Sequence, residues 1–175
     1  RCVCDWPSPP MHITEVVHLH TTLTRLWTLC LAGERLLIAC STATDANRLV
    51  AWINKEIAAH DRRPASSPPI SLRALAVTAE FLKRCEQKGE EAPAANITAY
   101  TTKHDISLLA YTLAMGVGTS IDQPQPYWSA PVLFGRDHGG PSAELIAQAL
   151  RRGRHAGPES PRCCTLFIAG SHRAS

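Results

Sequence analysis

Apolar and polar positions divide the chain into short segments of contrasting period. The clearest is Leu36–Ile53, LLIACSTATDANRLVAWI. Its first five residues, Leu36 to Cys40, are unbroken apolar. A short run apolar on both faces predicts a central parallel strand covered by helices on either side. Ser41, Thr42 and Thr44 follow where the strand hands over to a helix, and any of the three can serve as the N-cap. Asp45 falls in the first turn, where a carboxylate suits the helix dipole. Leu49, Val50, Ile53 and Ile57 then make a stripe at helical period, which predicts a helix from Asp45 to about His60.

The same reading extends along the chain. Residues 1–12 are irregular, broken by Pro7, Pro9 and Pro10, and Ile13–Leu19 reads as a β-branched strand. Thr21–Ala32 is an amphipathic helix with Leu23, Leu26, Trp27, Cys30 and Leu31 on one face, stopped by Gly33. Asp61–Pro69 is a connection rich in proline and serine. Ile70–Val77 reads as a strand and Thr78–Lys88 as a helix turning Phe81, Leu82 and Cys85 inward, ended by Gly89. Glu90–Ala95 is loop. The pattern next predicts a helix from Thr102 to about Met115 with Leu108, Leu109 and Leu113 on its face. Residues 116–140 show little periodicity among five glycines and three prolines and read as a long loop, an unusual feature in a compact domain. Ser142–Arg152 is helical in period and Arg162–Ala169 is a last strand. Strands alternating with helices predict one α/β domain with a parallel sheet spanning residues 1–175.

Composition narrows the class. The 175 residues are 45% hydrophobic, enough for one core, and a net charge of +3 is too small to argue for nucleic acid by itself. No apolar run approaches the roughly twenty residues of a membrane span. There is no apolar signal-peptide core near the start, and the first residue is Arg1 rather than Met, so the expectation is a fragment or processed product. Seven cysteines without framework spacing suit reduced thiols, hence a cytoplasmic or nuclear setting.

Several groups of residues admit a chemical and a plain reading. Cys2, Cys4, His18 and His20 supply zinc-ligand types, but their spacing matches no common structural site, and a solvated strand face accounts for the two histidines. Cys163 and Cys164 suit buried small hydrophobes, since neither sits in a CxxC. Asn96-Ile97-Thr98 has the form of a glycosylation sequon, idle without a signal peptide. Arg151, Arg152, Arg154 and His155 form a basic cluster that would complement a helix C-terminus. Asp137-His138-Gly139-Gly140 sets an acid beside a histidine with no adjacent nucleophile, and reads as a turn.

Residues Thr21–Ile53 resemble the superfamily 1 nucleic-acid helicases, in the branch of the nonsense-mediated-decay helicase. In that family a phosphate-binding P-loop opens a helix, and a strand then leads into a motif of the form apolar–Cys/Ala–Ala–Pro–Ser–Asn–x–Ala–x–Asp–x–Leu. Here Ile38 to Leu49 stand against it. Thr42 is at the family's serine, while Ser41 replaces its proline, Ala43 its asparagine, Asp45 its alanine and Asn47 its aspartate. Ile70–Glu80 is similar to the family's next strand, and Pro161–Ser171 faintly to a later segment, so about half of the chain is covered in family order. The resemblance implies a partial first RecA-like domain of the P-loop NTPase type. It also implies backbone contacts to single-stranded RNA or DNA from Ser41, Thr42 and Thr44, and a degenerate nucleotide position at Thr21 and Thr22.

The cradle itself is missing. A P-loop needs glycines whose backbone N–H groups wrap phosphates, a lysine for the β/γ-phosphates and a hydroxyl for Mg²⁺. Between Glu15 and Thr22 there is no glycine and no lysine, and no Walker B carboxylates or second RecA-like domain are recognised. The intact family uses ATP and Mg²⁺. For this chain neither is expected as a cofactor, nor is hydrolysis. The competing class is an α/β protein-interaction or scaffold domain, or an incomplete gene product without catalytic function. Partners and oligomeric state are open at this level.

Overall fold

The computed structural model describes residues 11–16, 18–62, 71–90, 97–112, 121–123, 128, 130–136, 153–155 and 162–169. In chain order they form β1 (Met11–Val16), α1 (Leu19–Leu31), β2 (Leu36–Cys40), α2 (Ala43–Asp61), β3 (Ala74–Val77), α3 (Ala79–Lys88), α4 (Ile97–Lys103), β4 (Leu108–Thr112), β5 (Ile121–Gln123), β6 (Ala130–Arg136), β7 (Gly153–His155) and β8 (Arg162–Ala169). A six-stranded sheet runs β1-β8-β6-β2-β4-β3, and β5 pairs with β7 in a second, two-stranded sheet. Every pairing in both sheets is parallel.

β2 lies inside the sheet, with Leu36 to Cys40 in register against Leu108–Thr112 on one side and Ala130–Phe134 on the other. All five of its residues are buried, as its unbroken apolar run requires. Side chains alternate across a strand, so the run feeds two cores. Leu36, Ile38 and Cys40 pack with Leu26 and Cys30 of α1 and with Ala46, Leu49 and Ile53 of α2. Leu37 and Ala39 pack on the opposite face with Val77, Ile97, Ile106, Leu109, Tyr111 and Trp128, beside Phe81 and Leu82 of α3. The direction of travel explains this division. The crossovers β1→β2 and β2→β3 move one way along the sheet and put α1 and α2 on one face. The return β3→β4 puts α3 and α4 on the other, as a single crossover hand demands.

The helix signals hold locally. Thr42 is the N-cap of α2 and Thr78 that of α3, each hydroxyl accepting a backbone N–H, from Asp45 and Phe81 respectively. Gly33 (φ 81°) and Gly89 (φ 62°) take the left-handed conformation after α1 and α3. The N–H groups of Glu34 and Glu90 then reach back to the carbonyls of Leu29 and Cys85, both at 3.0 Å or less. Trp27 and Trp52 are half-buried, and Trp27 meets His60 edge-on at 6.4 Å between ring centroids.

Three expectations are corrected. The helix from Thr102 to Met115 does not form. The helix is α4, which starts five residues earlier at Ile97 and ends at Lys103, and Leu108–Thr112 is strand β4, buried at every position. An apolar run buried on both faces carries no period by which strand and helix can be told apart. The break between the two elements also lacks a glycine. Asp105 takes φ 48°, and Ile106 N–H bonds the Thr101 carbonyl at 2.9 Å.

Residues 116–140 are not one long loop. They contain β5 and, next to β2, the interior strand β6. Gly135 and Pro131 hid it, although Val132 and Phe134 are buried in the sheet's core. Finally, Met11 and His12 belong to β1 rather than to an irregular start, and His18 and His20 open α1 rather than alternating along a strand. The helix expected over Ser142–Arg152, the segment Asp137–Gly140, Asn96, Cys2 and Cys4 lie outside the described residues. Arg154 and His155 fall in β7, while Cys163 and Cys164 fall in β8.

Candidate nucleic-acid interface at the carboxyl end of strand β2

In an open parallel sheet, ligands bind beyond the carboxyl ends of the strands, where neighbouring connections leave in opposite directions. β2 and β6 meet that condition. The chain leaves β2 through α2 toward β3 at one edge, and leaves β6 toward β8 on the other side. The two strands are still joined at this point, because Ser41 N–H donates to the Phe134 carbonyl at 3.1 Å. Ser41, Thr42 and Thr44 therefore stand at the switch point of the sheet. Ser41 is half-buried, and Thr42 and Thr44 are exposed.

A buried carboxylate organises the Ser41 and Thr42 hydroxyls. Asp45, 4% exposed, accepts a hydrogen bond from Thr42 Oγ1 at 2.7 Å and a longer one from Ser41 Oγ at 3.4 Å. Its own backbone N–H donates to Thr42 Oγ1 at 3.0 Å. The cap is thus reciprocal, satisfying an orphan amide of the first turn and placing negative charge where the helix dipole favours it. Its reach extends into the core. The Cys40 thiol is pushed far above the ordinary range, first by burial and second by the negative charge of Asp45.

Thr21 and Thr22 sit apart from this turn. Both are in the first turns of α1, which follows β1, and β1 is three strand spacings from β2. At the usual spacing that is about 14 Å across the sheet. Thr21 is exposed, whereas Thr22 is 2% exposed and donates its hydroxyl to the His18 carbonyl at 2.9 Å. So the two candidate sites share the carboxyl edge without touching through the described strands. No group of three or more His, Cys, Asp or Glu side chains suited to a metal ion occurs among the described residues. His18 and His20 are exposed at the start of α1. Cys30, Cys40 and Cys85 are free thiols, all buried.

Asp45 went unassigned as the partner of these hydroxyls, although the spacing Thr-x-x-Asp, from Thr42 to Asp45, is the signal of a reciprocal cap. The contribution of β6 had no such signal.

With this geometry the chain has a partial RecA-like α/β fold. No protein-family model and no curated protein matches it. Among solved structures it is similar to the C-terminal part of the Fun30 ATPase domain, with a TM-score of 0.52 at 14% identity over 85% of this chain. The match spans 40% of that structure's length. At such identity the likeness concerns the fold. It reaches a RecA-like fold and does not extend to the nonsense-mediated-decay helicase branch. No described helix is long and apolar enough to cross a membrane.

Proposed function

We propose that this chain is a helicase-like module that contacts single-stranded RNA or DNA at the β2–α2 turn and has no nucleotide cradle of its own. The observation that carries this reading is the position of Ser41, Thr42 and Thr44 at the switch point between β2 and β6. Hydroxyls and first-turn amides there can meet a phosphate backbone, which positions a strand without reading its sequence.

The missing cradle has a simple origin on this reading. The structural neighbour is by its description the C-terminal part of an ATPase domain. A counterpart of such a part would work beside another part that carries the P-loop. It would need neither glycines nor lysine ahead of α1, and Thr21 and Thr22 would hold no nucleotide. This takes the place of a first domain whose cradle has decayed. A cytoplasmic or nuclear location goes with it.

One observation favours a second reading, a scaffold or protein-interaction domain. Thr42 Oγ1 accepts the Asp45 N–H, which is what a plain helix cap does, and the Ser41 and Thr42 hydroxyl protons are directed into the Asp45 carboxylate rather than outward. Fluorescence anisotropy with labelled single-stranded DNA and RNA at low salt separates the two. Binding that falls in Ser41→Ala/Thr42→Ala, in protein whose denaturant melt shows it folded, supports the nucleic-acid reading. Absence of binding by the wild-type chain at low salt overturns it in favour of the scaffold.

A further inference from the structure

We draw no further inference here: the strongest candidate, the buried Asp45 carboxylate beside Ser41, Thr42 and Cys40 at the α2 N-terminus, belongs to the site already described, and its hydrogen bonds within the turn are those of a helix cap with no bound group to point to a ligand.

Discussion

Thr42 has two roles to separate, and the energies differ enough to do so. As the N-cap it accepts the Asp45 N–H, and removing such a cap costs roughly 0.5–2 kcal/mol. Thr42→Ala should lower stability by that amount in a urea melt, while Thr42→Ser should restore most of it. Asp105 is the other residue with a defined conformational burden. Its φ of 48° is a region that non-glycine residues enter at a cost of about 1–2 kcal/mol, although asparagine and aspartate visit it most readily. Its ion pair with Arg35, at 2.8 Å, is half-exposed and worth at most about 1 kcal/mol. Asp105→Asn should therefore change stability by less than about 1 kcal/mol, and Asp105→Val should destabilise by more than Asp105→Asn does. Equal losses in the two variants would mean that the ion pair, not the backbone, dominates.

The buried thiols give a pH dependence of known sign. Burial pushes the Cys30 thiol up to about 12, and burial with the Asp45 charge pushes Cys40 up as well. An unfolded chain holds its thiols near the ordinary value of roughly 8.5. Above that value the folded state binds the protons more tightly than the unfolded state, so stability is fully present below it and falls as pH rises toward the folded values. The denaturation midpoint should decline between about pH 8.5 and pH 11, and the decline should be smaller in Cys30→Ala at matched starting stability. A thiol reagent at pH 8 should leave Cys30 and Cys40 unmodified until the chain unfolds.

At the scale of elements, β2 makes the strongest demand. A strand with one wet face tolerates polar residues at alternate positions, whereas β2 is buried on both. Ile38→Ala and Leu37→Ala, on opposite faces, should each cost about 2–5 kcal/mol by denaturant melts. A mild effect in either one would place β2 at an edge or on an open face. α1, α2 and α3 were legible because a 3.6-residue stripe lies within each element, together with a glycine stop after α1, a hydroxyl cap before α2 and both around α3. α4 and β4 were not, because Asp105 does the work of a glycine and Leu108–Thr112 has no polar face to show a period.

For the whole molecule, electrostatics sets what binding can look like. A net charge of +3 allows few phosphate contacts. Single-strand affinity should therefore be modest, nearly independent of sequence, and reduced by salt with a shallow slope of about one or two counterions. A steep slope would locate the contacts on a basic surface other than this turn. Isothermal titration with ATP–Mg²⁺ should show no micromolar binding to the chain alone. Such binding would mean that phosphates are held without a P-loop and would remove the division of roles proposed for the module.

The sequence by itself determined whatever is encoded within about twenty consecutive residues. β2 as a two-sided strand, the hydroxyl turn Ser41–Thr44, the α2 stripe and the stops at Gly33 and Gly89 all follow from local sterics, capping and period. Tertiary structure alone decided which strands flank β2. Parallel pairing joins residues far apart in the chain, such as Cys40 with Thr112 and Phe134, and no local pattern records that register. It also chose Thr42 among three possible caps, because only its hydroxyl both receives the Asp45 N–H and reaches the Asp45 carboxylate once that side chain is buried beside the sheet. Insertion of β6 beside β2 then turned an ordinary helix start into the switch point of a sheet, since a crevice exists only where two neighbouring connections part.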